Sequence, residues 1–216
     1  MERSLIWSNI WTDSIRSNKP LFVFDLDSTI TKCELLPLIA ESVGLSDVMV
    51  NMTETAMRSS IPFEADFCRR VELLKGIPVS KARSIAASVP LNEEMVRFIR
   101  ENPLRCCIMT GNLDVWIQDL IERIGMSGRC FSSRAAVERD RITGITFAMD
   151  KTLASRELPC PFIAIGDGSN DIGMLKTASI GVAFGGVRVL SDDVIRAADK
   201  VFTDESELVA YLRRFL

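Results

Sequence analysis

Four short stretches, Leu21–Phe24, Cys106–Met109, Pro161–Ile165 and Ile180–Phe184, are apolar at every position, and a polar residue or a glycine follows each. A half-exposed strand alternates polar and apolar residues. An unbroken apolar run of this length instead suits a strand buried on both faces of a parallel sheet. Helical patterns at Asn92–Glu101, Asp114–Ile124 and Asp171–Ala178 separate the runs. Strands alternating with helices predict an α/β fold, a doubly wound parallel sheet.

The alternation lapses from about Cys33 to Val89, where helix-like segments follow one another without a convincing strand. The expected organisation is a Rossmann-like core from residues 1–31 and 90–216, with 1–20 as an N-terminal extension. A small helical cap, residues 32–89, is inserted into it. Ser132–Val137 and Ile142–Phe147 read as a hairpin turning at Glu138–Arg141, and Asp204–Leu216 as a terminal amphipathic helix. Trp7 and Trp11, four apart, suggest a helix that packs on the domain or on another subunit.

Composition removes whole classes of chemistry. The 216 residues include no histidine, so triads and metal sites built on imidazole are excluded. The net charge of −3 and interspersed signs carry no basic footprint for nucleic acid. No apolar stretch is long enough for a membrane span. Glu2, Arg3, Asp13 and Arg16 interrupt any signal sequence, so a cytoplasmic location is expected, as a monomer or homodimer. The six cysteines include the adjacent pair Cys106 and Cys107 and no C-x-x-C spacing, which fits buried free thiols better than disulfides.

The chemistry must then come from carboxylates, hydroxyls and lysines at the strand ends. The first run delivers Asp25 to the carboxyl edge of the sheet, where α/β folds bind ligands, and Asp27 follows two residues on. Two neighbouring carboxylates repel unless a cation lies between them or one is protonated. Either arrangement is useful: a hard divalent cation, or an acid beside a nucleophile. Gly166-Asp167-Gly168-Ser169-Asn170-Asp171 repeats the grammar after a second buried run. Asp167 is a further carboxylate for the same cation, and Asp171 either joins the metal shell or holds a lysine. Thr110-Gly111-Asn112 offers a hydroxyl and accessible N–H groups to an anionic oxygen. Lys151 could neutralise phosphate charge from the rim.

In this order the elements resemble the haloacid dehalogenase superfamily of phosphohydrolases, from Phe24 to about Gly186. Within it, Asp25-Leu26-Asp27-Ser28-Thr29, Glu34, Phe63-Glu64 and Arg70-Val71-Glu72-Leu73-Leu74-Lys75 are most similar to the phosphoserine phosphatases. The resemblance implies a Mg²⁺-dependent phosphomonoesterase. Asp25 would attack phosphorus and carry an aspartyl-phosphate. Asp27 would protonate the leaving alkoxide and then activate water. Asp25, Asp167 and the backbone carbonyl of Asp27 would hold Mg²⁺. Thr110, Gly111 and Lys151 would bind the phosphoryl oxygens, with Asn170 lining the pocket. The implied substrate is O-phospho-L-serine or a similar small phosphorylated amine or acid. The alternatives are a phosphatase for another small metabolite and a phosphotransferase using the same aspartyl-phosphate. Family members usually carry Ser-Gly-Gly where this chain has Thr110-Gly111-Asn112, so an extra methyl and an amide reshape the leaving-group side of the pocket.

The cap sequence bears on the substrate. On a helical wheel advancing about 100° per residue from Phe63, Arg70 falls near 340°, inside the arc of Phe67, Val71 and Leu74. An inward arginine needs an anion. A substrate carboxylate is one partner. Asp66, four residues earlier on the same face, is the other. Glu34 would take a substrate ammonium, or serve only as a first-turn acid of a helix beginning near Cys33. Met57 and Phe63 resemble the apolar residues with which family caps seal the site, and simple cap core is the competing role.

Overall fold

The computed structural model of the protein describes residues 19–58, 63–158 and 161–216, apart from the side chains of 53–58 and of Phe63. Trp7, Trp11, Met57, Phe63 and Cys160 therefore lie outside the described side chains.

Strand β1 (Leu21–Phe24) is buried at every position, and its side chains alternate between two cores. Phe22 and Phe24 enter one core, with Phe22 meeting Phe98 edge to face at a centroid distance of 5.0 Å. Leu21 and Val23 enter the other, among Met109, Met174 and Leu175. Four helices follow: α1 (Leu35–Glu41), α2 (Ser46–Arg58), α3 (Phe63–Leu74) and α4 (Val79–Ala87). They fill the region where no strand was expected. The chain leaves and re-enters the core through two stretches joined by an antiparallel Thr31–Leu91 bridge.

The remaining order is α5 (Glu93–Glu101), β2 (Cys106–Leu113), α6 (Asp114–Ile124), β3 (Cys130–Glu138) and β4 (Arg141–Phe147). Then come α7 (Lys151–Arg156), β5 (Phe162–Gly166), α8 (Ile172–Thr177), β6 (Ile180–Phe184), α9 (Asp192–Ala197), β7 (Lys200–Phe202) and α10 (Glu205–Arg213). The seven strands form one sheet, ordered β4-β3-β2-β1-β5-β6-β7 and parallel except for the β3–β4 hairpin. The hairpin turns on Arg139 and Asp140, both at positive φ, as a two-residue loop of matching twist requires. α6 ends at Gly125 in the left-handed conformation, a common helix stop.

β2 runs on past the apolar run Cys106–Met109, through Thr110-Gly111-Asn112 to Leu113. Lys151 opens a six-residue helix, α7. Among the described residues Cys33, Cys68, Cys106, Cys107 and Cys130 form no disulfide. No described helix is long and apolar enough to cross a membrane.

Candidate active site

β1 lies at the centre of the sheet, with β2 on one side and β5 on the other. The order reverses there, because the chain builds outward to β4 and then returns to β5. Crevices at the carboxyl ends of such strands are where open α/β sheets bind ligands. The register pairs Phe24 with both Ile108 and Ile165, which brings Asp25, Thr110 and Asp167 to one edge.

Asp25 is buried, and its Oδ1 accepts a hydrogen bond from Lys151 Nζ. The same ammonium donates to Asp171 Oδ1 at 2.6 Å. Lys151 was expected at the rim. Its side chain is instead only 2% exposed, because the short α7 packs against α8 and carries it beneath the sheet edge. Burial opposes its charge, but Asp171 and Asp25 outweigh burial and hold the ammonium above the ordinary lysine range. Asp171 Oδ2 also accepts the backbone N–H groups of Asp167 (3.1 Å) and Gly168 (2.9 Å). Of its two expected roles, Asp171 therefore takes that of holding the lysine.

The other carboxylates are differently placed. Asp167 Oδ1 accepts from Thr29 Oγ1 at 2.9 Å, while its buried Oδ2 has no aligned hydrogen bond and meets only the charge of Arg188 Nε. Burial and then the charge of Asp25 raise its pKa. Burial, reinforced by the charge of Asp171, pushes Asp25 up to about 7. Asp27 Oδ1 accepts the Leu35 N–H at 2.9 Å, and its Oδ2 accepts from Asn112 Nδ2. Burial first, then the charges of Glu34 and Asp25, raise Asp27 well above the usual carboxylate range, which suits a proton donor.

Asp25, Asp167 and Asp171 form a buried trio whose ligand oxygens lie within 4.8 Å of one another, an arrangement compatible with a divalent cation. Asp171 has both oxygens in hydrogen bonds, whereas Asp25 has one on Lys151 and Asp167 Oδ2 meets Arg188 Nε in an ion pair without an aligned hydrogen bond, so Asp25 and Asp167 are the better-fitting donors. The Asp27 side chain points its oxygens to Leu35 and Asn112, leaving its backbone carbonyl as the expected ligand.

Thr110 is fully buried, and its Oγ1 accepts the Asn112 N–H at 3.2 Å. The Gly111 carbonyl accepts from Ser133 Oγ at 2.7 Å, which orients this end of β2. Asn170 is half-buried beside Gly168, where any Cβ would collide with its Oδ1 and stand 2.9 Å from Arg188 Nη2. Arg70 pairs with Asp66 at 2.7 Å, the competing partner on its own helix. Glu34 is engaged through one of its oxygens, Oε1. It accepts from Ser28 Oγ at 3.3 Å and pairs with Arg188 Nη1 at 3.2 Å. Arg188, in the loop after β6, is the charged group that sequence reasoning missed. No periodicity or motif marks it within Gly185-Gly186-Val187-Arg188.

Known proteins carry this arrangement. A haloacid dehalogenase-like hydrolase family model matches residues 22–176, and a second model of that description matches 159–210. A phosphoserine phosphatase of Archaeoglobus fulgidus is 33% identical over 189 residues; the match covers 81% of this chain but only 55% of that one. One of Methanocaldococcus jannaschii is 26% identical, covering 92% of this chain and 100% of its own. A solved structure described as a phospho-aspartyl intermediate analogue of phosphoserine phosphatase superposes with a TM-score of 0.76. Its identity is 26%, and the match covers 89% of this chain and 98% of that one. A family model that spans the whole stretch from β1 to α8 takes in Asp25, Asp27, Lys151, Asp167 and Asp171 together, and on that ground the chain belongs to the haloacid dehalogenase-like hydrolases.

Proposed function

We propose that the chain is a Mg²⁺-dependent phosphomonoesterase working through an aspartyl-phosphate on Asp25, with O-phospho-L-serine or a similar small phosphorylated amine or acid as substrate. The observation that carries this reading is the convergence of Asp25 with Lys151, Asp167 and Asp27 at the reversal point of the sheet. Asp25 is the nucleophile: its carboxylate forms the bond to phosphorus as the ester oxygen leaves. Asp27, whose pKa is raised, gives that oxygen its proton and afterwards takes one from the attacking water. Lys151 stays charged beneath Asp25 and attracts the phosphoryl oxygens. Thr110 Oγ1 and the Gly111 N–H are the donors for those oxygens from the β2 side. A hard divalent cation held by Asp25, Asp167 and the Asp27 carbonyl would supply the positive charge that keeps Asp25 ionised and draws the phosphoryl group into line. The phosphoserine phosphatases among the relatives support the substrate class.

The test is turnover of phosphoserine and of an aryl phosphate by the purified chain, with Mg²⁺ and with chelator. The chelator should abolish phosphate release. Acid-quenched wild-type protein should carry a phosphoryl group on the peptide containing Asp25, and Asp25→Asn should abolish both adduct and turnover. Activity of Asp25→Asn near that of the wild type would refute the assignment.

A further inference from the structure

Among the described residues two cations pair with the site carboxylates, and they are held in different ways. The Lys151 side chain is 2% exposed and is fixed between Asp25 and Asp171. Arg188 reaches in from the loop after β6. Its Nε meets Asp167 Oδ2, and its Nη1 lies 3.2 Å from Glu34 Oε1. Its side chain is 24% exposed, so the guanidinium can withdraw toward solvent where the ammonium of Lys151 cannot.

Asp167 is where two demands meet. Its Oδ1 accepts from Thr29 Oγ1 at 2.9 Å, so a neighbour already orients the carboxylate. The oxygen left for a divalent cation is Oδ2, and Arg188 stands against that oxygen. The contact contains no aligned hydrogen bond. A group that orients a metal ligand does so through a directed hydrogen bond, and here Thr29 supplies it. What Arg188 adds at Oδ2 is charge. A charge of the same sign as an incoming cation, at such short range, opposes its binding. The same charge has a use. Asp25, Asp167 and Asp171 bring ligand oxygens within 4.8 Å of one another, and acids that close repel unless cations stand among them. Lys151 answers for Asp25 and Asp171, and Arg188 answers for Asp167.

We propose that Arg188 is an exchangeable counter-cation of Asp167, which competes with the divalent metal for Oδ2 and so sets how tightly the site takes it. Arg188 gives up Asp167 to the metal and retains Glu34 Oε1 as its anion. This rests on the Mg²⁺ reading of the site and deepens it: a residue of the chain itself holds the metal affinity down.

The test is calorimetric titration of Mg²⁺ into the full chain, stripped with chelator and dialysed, paired with thermal unfolding at rising Mg²⁺. Arg188→Gln keeps a polar side chain and loses the charge. It should lower the Kd for Mg²⁺ by about tenfold or more, since a like charge ~4 Å away at a protein site is worth at least that. Arg188→Ala should do the same. Arg188→Lys keeps the charge and should bind Mg²⁺ about as wild type does. In chelator the two neutral variants should unfold at a lower temperature than wild type, and Mg²⁺ should raise their Tm by more than it raises that of wild type. Weaker Mg²⁺ binding by the neutral variants would overturn the inference, because Arg188 would then support the ligand. Unchanged binding would overturn it as well, as would a Lys variant that tightens like Gln, or a Tm in chelator equal to that of wild type. Mg²⁺ binding by neither wild type nor any variant would overturn the Mg²⁺ reading of the site, and this inference with it.

Discussion

Removal of Asp171 tests whether the network around Lys151 is built into the folded state. Asp171 is fully buried; one oxygen receives Lys151 Nζ at 2.6 Å and the other the N–H groups of Asp167 and Gly168. Asp171→Ala takes away one partner of a buried ion pair, a change that typically costs about 3–5 kcal/mol. Lys151 retains Asp25, which puts the electrostatic part near ~3 kcal/mol. Each backbone N–H left without an acceptor costs roughly 1 kcal/mol or more. These terms share one network and do not simply add, so about 3–5 kcal/mol is the expected total. For a chain of this size each kcal/mol moves Tm by about 2–4 °C, which gives a drop between about 6 and 20 °C. Asp171→Asn keeps an acceptor for the N–H groups and loses only the charge, so it should fall between Ala and wild type. The assay is thermal unfolding by circular dichroism with chelator present, extended to a double-mutant cycle with Lys151→Met. A Tm shift for Asp171→Ala under about 2 °C, less than ~1 kcal/mol on this scale, would refute the argument, as would a coupling energy near zero.

Gly173→Ala should disturb Lys151 from the other side. A Cβ at Gly173 would meet the Thr152 side chain, with Cγ2 only 2.7 Å away, so α7 or α8 must shift. Overpacking of this kind costs about 1–3 kcal/mol, and turnover should fall with Tm; an unchanged Tm would show that the helix pair yields freely. Asp140 links the hairpin to the cap: its carboxylate accepts the Ser80 N–H at 2.8 Å and the Ser80 hydroxyl at 2.5 Å, at the start of α4. The hydroxyl and then the N–H hold its pKa below the ordinary carboxylate value. A depressed pKa means that the stabilisation is present above the unfolded value near 4 and lost as pH falls through the lower folded value. Asp140→Ala should therefore lower the urea midpoint at pH 7, with the gap to wild type closing below about pH 4. A gap that persists in acid would remove the carboxylate from the explanation.

Much of the fold was legible from local pattern. The runs at Leu21–Phe24 and Ile180–Phe184 became strands with those same bounds, and Asp114–Ile124 became a helix with those bounds. A run that is apolar at every position can satisfy itself only where both faces are covered, so it announces a buried strand wherever the rest of the chain lies. β7 escaped this reading because it has three residues and sits at the sheet edge, too short and too exposed for a period to show. Asp25 and Asp167 of the candidate site were legible for a related reason: each follows its strand directly, and strand ends share one edge in a parallel sheet. What tertiary structure alone decided was how the charges pair. The wheel of α3 placed Arg70 and Asp66 on one face, but only packing closed the 2.7 Å bridge between them. Lys151 reads as a surface lysine until α7 packs on α8 and carries it beneath Asp25. Arg188 and Glu34 stand near opposite ends of the chain and meet because β6 and β1 lie in one sheet on either side of β5. An apolar pattern records only that a side is covered. An ion pair depends on distance and direction between groups set by different elements, and those exist only once the elements have packed.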